Sequence, residues 1–266
     1  MNIHSVHCPR TLDSALTVLA DRPPQLRIVA GGTDIMVMLH AGVVRAEALL
    51  DLWKVDELRG LAIDKDALVM GALTTYTDLI QSPLVPAVLR EAAATVGAAQ
   101  IQNRGTVGGN LANASPAADL APVFSALDAT IDLASKRGTR SVSIHDFFVG
   151  YRKTCMADDE LLVRVRLPLP KAGERAWFRK VGTRRAQAIS KVVLAGTLEG
   201  KRLRVAAGSV APTVVRLRKT EAAFASGADL RAAIRQDISP IDDVRSTADY
   251  RLRVTTNLIL RFVGES

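Results

Sequence analysis

Only two cysteines, Cys8 and Cys155, occur in the 266 residues, and neither belongs to a CxxC or Cys/His spacing. A metal or iron–sulfur centre held by this chain would lack ligands, so any such cluster is expected on another chain, and both thiols read as small reduced side chains. The four histidines, His4, His7, His40 and His145, have no metal-ligand spacing, and no Ser/His/Asp set can be assembled with them. No run of eighteen apolar residues appears, so no membrane insertion is expected. The opening MNIHSVHCPRTLDSALTVLADRPP lacks the charged, apolar and small-residue segments of a secretion signal, and a cytoplasmic location is expected. Aromatics make up only 4%, and the arginines behind the net charge of +8 are spread from Arg10 to Arg261. That pattern fits a solvated surface with a local anion site better than a nucleic-acid platform.

What is present is enough apolar material, 48% of the chain, to bury one core with a smaller appendage or two domains. Short helices and strands alternate. The spacing predicts a helix over Leu12 to Ala20, a strand over Leu26 to Ala30, a turn at Gly31-Gly32 and a helix from about Asp34 to Ala41. Strands follow at Leu49 to Trp53 and Ala67 to Gly71, then a helix over Leu84 to Val96. The stretch Ala99 to Ala118, rich in glycine, asparagine and alanine, reads as a long ordered loop, a feature that in compact domains tends to be functional. Asp119 is placed to cap a helix over Leu120 to Leu127, with a strand at Ala129 to Ala134 beyond it. After Pro168 and Pro170, KAGER reads as a linker. A smaller unit then begins near Ala176, with strands at Trp177 to Val181, Lys191 to Leu198 and Leu203 to Ala211, helices near Val215 to Ala225 and Leu230 to Ala233, and a closing helix over Arg245 to Val263.

Two glycine-rich segments carry the chemistry: Val29-Ala30-Gly31-Gly32-Thr33-Asp34 and Arg104-Gly105-Thr106-Val107-Gly108-Gly109-Asn110. Glycine lets successive amides converge on a phosphate oxygen without a Cβ in the way, and a helix start behind the first segment favours an anion. Thr33, Thr106 and Asn110 can donate further hydrogen bonds to phosphate, while Asp34 and Asp119 can accept from ribose, ribityl or ring N–H groups. Together the two segments suit a dinucleotide. Neither follows GxGxxG with an acidic residue some twenty positions on, so the doubly wound dinucleotide fold is not supported, and no GxxxxGK[ST] phosphate loop is present.

The segments IVAGGTDI, NRGTVGGNLANASPAADLAPVFSALDATI, FFVGYRKT, DELLVRVRLP and RKVGTRRAQAIS, in this order and spacing, resemble the flavin subunits of molybdenum hydroxylases of the xanthine dehydrogenase and carbon monoxide dehydrogenase type. AAGSVAPTVVRLRKTEAAF, SPIDDVRSTADYR and the closing helix extend the likeness over nearly the whole chain. The resemblance implies an α+β chain: a two-part FAD-binding domain of the vanillyl-alcohol-oxidase (PCMH) type over residues 1–172, in parts of about 1–55 and 56–172, then a smaller α/β domain over residues 173–266. It implies non-covalent FAD, held by Ile28, Val29, Ala30, Gly31, Gly32, Thr33, Asp34 and Ile35 of the first segment and by Thr106, Gly108, Gly109, Asn110, Ser115 and Asp119 of the second. Leu162 would line the flavin and Lys180 would bring a positive charge near it. In some relatives an aromatic side chain stands beside the flavin shortly before the second segment, where this chain has Val96.

The same resemblance implies a role as an electron-transfer subunit, an oxidoreductase component with no catalytic residue of its own. Its expected partners are a small subunit carrying [2Fe-2S] clusters and a large subunit carrying molybdopterin, in a dimer of heterotrimers, with NAD or another compound as electron acceptor. The substrate would be chosen on the molybdenum subunit. The alternative, a stand-alone flavin oxidase or dehydrogenase of the same superfamily, needs its own acid–base group, and the sequence offers none.

Overall fold

The structure, a computed structural model, describes residues 3–171 and 173–264. A first layer is a parallel three-stranded sheet built from β1 (Ser5–His7), β2 (Leu26–Val29) and β3 (Ala48–Asp51) in the order β1-β3-β2. Helix α1 (Leu12–Asp21) is started by the Thr11 side chain accepting from Ser14 N, and it stops where Arg22 turns left-handed at φ 45°. Its buried face, Ala15, Leu16 and Leu19, packs with Leu50, Leu52, Val55 and Leu58. Helix α2 (Ile35–His40) follows β2 directly.

The second layer is an antiparallel sheet, β4-β5-β10-β6-β7, formed by β4 (Leu61–Asp64), β5 (Ala67–Gly71), β6 (Thr130–Ser135), β7 (Gly138–Ser143) and the central β10 (Leu161–Pro168). Between β5 and β6 the chain makes five helices: α3 (Tyr76–Gln81), α4 (Ala87–Ala94), α5 (Ala99–Gln102), α6 (Val107–Ala112) and α7 (Ala121–Ala126). Helix α3 begins with a reciprocal cap, Thr75 accepting from Asp78 N while the Asp78 carboxylate accepts from Thr75 N. A short helix α8 (Ile144–Phe147) and the hairpin β8 (Phe148–Gly150) and β9 (Lys153–Thr154) lie between β7 and β10. Leu161 of β10 packs with α1 and β3, whereas Leu162, Val165 and Leu167 pack with α4, α6 and α7, so this strand joins the two layers.

The third sheet is an antiparallel meander of β11 (Arg175–Val181), β12 (Val192–Glu199), β13 (Arg202–Gly208) and β14 (Val215–Arg216), followed by α9 (Arg218–Ser226), α10 (Leu230–Asp237) and α11 (Ala248–Val263). Side chains alternate across a strand, and here both faces are covered. Val192, Leu194, Leu203, Val205 and Ala207 meet α10 and α11, while Val193, Ala195, Ala206 and Phe178 belong to the same core as α7 and β10. Asp128, just past α7, gathers His145 and Arg216 at 2.7 Å each and Arg204 at 3.3 Å, clamping the meander to the preceding layers.

Several expectations are corrected. The segment from Ala99 to Ala118 is not one long loop, because α5 and α6 form within it, the latter on the Thr106 cap and on contacts that only glycine permits. Asp119 does not cap α7, whose preceding residue Leu120 makes no side-chain cap, because the carboxylate is drawn to Lys180 instead. Val215 and Arg216 extend the third sheet, and the helix read from Val215 starts at Arg218. The closing helix starts at Ala248 and not Arg245, because Thr247 caps it and Asp243 holds Arg245 N and Ser246 N in a turn.

Candidate functional site

A cleft of about 460 Å³ opens between α1, the β2–α2 turn, α6, the strand β10 and the segment Thr154–Ala157. This lies in the range of roughly 300–1,000 Å³ usual for small-molecule sites. Apolar walls come from Leu19, Leu26, Leu52, Met156, Leu161 and Leu162. Of the residues singled out in the sequence, Ile28, Ala30, Gly31, Gly32, Thr33, Asp34, Ile35, Thr106, Gly108, Gly109, Asn110 and Leu162 line this cleft, so the fold brings the two glycine segments together. Val29, Ser115, Asp119 and Lys180 do not line it. Ser115 turns its hydroxyl to Ala117 N, and Val96, where an aromatic side chain stands in some relatives, packs against the main core.

The two segments approach each other as closely as backbone allows. A Cβ on Gly31 would sit 1.7 Å from the carbonyl oxygen of Arg104, and one on Gly105 would sit 2.5 Å from Cε2 of Tyr76. Gly108 rests on Ala72 in the same way, its missing Cβ 2.8 Å from that of Ala72. Gly32 takes φ +80°, which turns the chain from β2 into α2.

Their hydrogen bonding is unequal, which composition alone does not reveal. In the second segment Val107 N donates to Thr74 O, Gly108 N to Ala72 O, Gly109 N to the Thr106 hydroxyl and Asn110 N to Thr106 O. Those amides are spent on folding α6. In the first segment the N–H groups of Gly31, Gly32, Thr33 and Asp34 donate to no group among the described residues. The expectation of two amide-lined turns is corrected to one. The first turn offers free N–H groups, and the second offers a wall of Thr106, Gly108, Gly109 and Asn110, where a Cβ on Gly109 would sit 2.9 Å from the Thr106 hydroxyl oxygen.

The polar side chains point to an absent hydrogen-bond donor. Oδ1 of Asn110 is buried and accepts from nothing, although the residue lines the cleft. A buried orphan acceptor costs stability unless a ligand satisfies it. Tyr76, buried beside Asn110 on the cleft wall, has its phenol pushed up by burial. The cleft walls partly shield Asp34 from bulk water and raise its carboxyl above the ordinary value, against the opposing pull of Arg152 and Asn113. Behind the cleft, Lys180 Nζ donates to Asp119 Oδ2 at 2.6 Å and to Thr95 O at 2.9 Å, leaving Asp119 Oδ1 without a partner. Burial pushes the Asp119 carboxyl up to about 6 in spite of that lysine.

Free turn amides for a diphosphate, the unsatisfied Asn110 acceptor for a ribityl hydroxyl or ring N–H group, and an apolar floor fit FAD. Tyr76, Asn113, Thr154, Met156 and Glu160 belong to the same cleft and escaped the sequence reading. The Thr75-x-x-Asp78 cap was the available signal for Tyr76, since it marks the helix start that presents the ring. Among the described residues no group of His, Cys, Asp and Glu could hold a metal ion, and no helix is long and apolar enough to cross a membrane.

The fold and cleft thus define a flavin-nucleotide-binding protein with an appended C-terminal domain. Residues 2–170 match the FAD binding domain in molybdopterin dehydrogenases, and residues 177–266 match the carbon monoxide dehydrogenase flavoprotein C-terminal domain. The chain belongs to the FAD-binding medium subunits of the xanthine dehydrogenase and carbon monoxide dehydrogenase family of molybdenum hydroxylases, and is an oxidoreductase component. It is 32% identical to the xanthine dehydrogenase FAD-binding subunit of Escherichia coli O157:H7 over 98% of this chain and 95% of that one. Carbon monoxide dehydrogenase from Hydrogenophaga pseudoflava superposes with a TM-score of 0.91 at 28% identity, covering 97% of this chain and 95% of that one. Quinoline 2-oxidoreductase from Pseudomonas putida 86 gives a TM-score of 0.86, also at 28% identity, with 97% and 94% covered.

Proposed function

We propose that the chain holds FAD non-covalently and is the electron-transfer subunit of a molybdenum hydroxylase, placed between a partner's [2Fe-2S] clusters and NAD or another acceptor. The observation that carries the reading is the first turn, where the N–H groups of Gly31, Gly32, Thr33 and Asp34 are free in a cleft that also holds the orphan acceptor of Asn110. In this reading the first turn binds the diphosphate, Thr106 and Asn110 orient the ligand from the opposite wall, and Leu52, Leu161 and Leu162 keep water from its apolar edge. Asp119 and Lys180 act from behind the wall, as a fixed polar pair. When bound, FAD supplies the redox chemistry, taking electrons one at a time and giving them up in pairs, and the protein's task is position and electrostatics.

The match to the FAD binding domain in molybdopterin dehydrogenases, and the Mo-pyranopterin named for the carbon monoxide dehydrogenase of Hydrogenophaga pseudoflava, support a molybdopterin-bearing partner, on which this proposal places the choice of substrate. A small iron–sulfur partner, an assembly of two heterotrimers and a cytoplasmic setting complete the proposal. Residues 1–172 form the flavin-holding unit of this proposal, and residues 173–266 the appended domain.

The test is the chain purified with and without its neighbours. The expected results are a flavin spectrum released by denaturation, loss of flavin in Gly109→Leu and Asn110→Leu, and co-purification with molybdenum and iron–sulfur subunits. A colourless protein indifferent to FAD would overturn the reading. Flavin reduction by an organic substrate with no partner present would instead make the chain a stand-alone dehydrogenase.

A further inference from the structure

Behind the meeting point of the two glycine segments lies a cluster that the cofactor cleft does not include. Trp53 follows β3, and its N–H donates to the Asp51 carboxylate at 2.9 Å. The Arg104 guanidinium lies 3.7 Å from the centroid of the Trp53 ring and that of Arg59 lies 4.5 Å from it. Arg59 also donates to Trp53 O at 2.6 Å and faces Asp56 at 3.9 Å, whereas Arg104 makes no ion pair among the described residues. Two like charges share one aromatic face region, which the attraction of cations to the indole quadrupole permits.

The position of this stack gives it a use. Leu52, next to Trp53, donates its N–H to Val29 O at 2.9 Å, at the foot of the first turn. Arg104, on the ring, has its own carbonyl oxygen against Gly31, at the crown of that turn. One residue therefore touches both ends of the contact between the segments. Trp53 is fixed to the strand that leads into the free amides, and it holds the residue that leads, through Gly105, into Thr106 and the α6 wall.

We propose that the Arg104–Trp53 stack is a positioning device that sets the separation of the free amides of the first turn from the Thr106–Asn110 wall, and through it the affinity for FAD; this rests on the reading of the cleft as the flavin site. Neither side chain lines the cleft, so both act through the backbone that they place.

The experiment is a double-mutant cycle read in the FAD dissociation constant of the full chain, with W53A, R104A and the double variant, and W53F for rescue. Losing a cation–aromatic contact at a partly exposed site should weaken FAD roughly three- to thirtyfold in either single variant. The double variant should be no weaker than the worse single one, because both remove the same contact. W53F, which keeps an aromatic face, should recover most of the affinity. A loss of packing alone would give additive losses and no dependence on Arg104, and that pattern overturns the proposal. Should W53A fold poorly, R104A still decides, since its side chain lies at the surface and FAD affinity at the wild-type level refutes the clamp. A wild-type chain that binds no FAD overturns the parent reading, and the clamp with it.

Discussion

Gly31 offers the sharpest test of the cleft, because its environment makes the outcome of Gly31→Ala calculable. The new Cβ would lie 1.7 Å from the carbonyl oxygen of Arg104 and 2.5 Å from its carbonyl carbon, both backbone atoms. No side chain can turn aside. To reach the 3.0 Å that real Cβ contacts observe, the segments must part by roughly 1.3 Å. That movement exceeds the tolerance of charge-assisted N–H bonds to phosphate, which are about 2.7–2.9 Å long and lose strength steeply as they lengthen. Each such bond contributes about 1.5–3 kcal/mol, so losing two costs about 3–6 kcal/mol, or at least a hundredfold in affinity. The assay is titration of the apoprotein with FAD by flavin fluorescence, beside thermal melting of the apoprotein. Gly42→Ala is the control: it adds the same methyl and forces an L residue into positive φ, at +69°, a strain that Gly31 does not carry, but nothing lies within 4 Å of its Cβ. Gly42→Ala should lower the melting temperature slightly and leave FAD binding intact. If Gly31→Ala binds FAD as tightly as the wild type, the two glycine segments do not jointly form the site.

Two further outcomes follow from buried charge. K180M strands the Asp119 carboxylate, which has lost every charged partner, and should destabilise the chain by about 3–5 kcal/mol in urea unfolding; D119N/K180M should recover much of that, and an unaltered midpoint for K180M would show the pair to be idle. The second concerns acid. Burial acts to raise the Asp128 carboxyl, but His145 and Arg216 overcome it and hold it well below the usual range, and Thr197 and Arg204 overcome burial in the same way at Glu174. A depressed folded-state pKa contributes stability that is fully present above the unfolded value and is lost progressively as pH falls from there through the lower folded value. Melting temperature should therefore drop as pH falls below about 4, and less steeply in D128N, which lacks the titrating group; equal slopes would remove Asp128 from the account.

The parts of the molecule legible in the sequence were those whose causes are local. The first turn could be placed because an apolar run, two glycines and a helical pattern adjoin one another, and the turn needs nothing else. Helix α6 could not, since Val-Gly-Gly-Asn-Leu-Ala has poor helix propensity and reads as loop. What holds it is tertiary: Gly108 fits on Ala72, and Thr74 and Ala72 accept its first amides. The same contacts explain why the second segment lacks the free amides that its composition suggested. Asp119 and Lys180 were each legible as candidates, yet their pairing across 61 residues was not, and with it went the expectation that Asp119 caps a helix. Ala30 to Asp34 and Asn110 were named from the glycine segments, and Ile28, Ile35 and Leu162 from the family resemblance, and all of them line the cleft. Tyr76 was missed because only the fold brings it there, and Asn113 because a stretch read as loop gave no reason to set it on the same helical face as Asn110.

The walls of the cleft are drawn from separated stretches, running from Leu19 through Thr106–Asn113 to Leu162. On a ribosome the amide-bearing turn therefore emerges long before the strand that floors its pocket, and flavin capture has to wait until translation has passed Leu162. Cofactor supply then acts on finished N-terminal regions, drawing them toward the folded state by mass action. A cell short of flavin should accumulate this subunit as a loose apoprotein exposed to proteases, and should not accumulate stalled nascent chains.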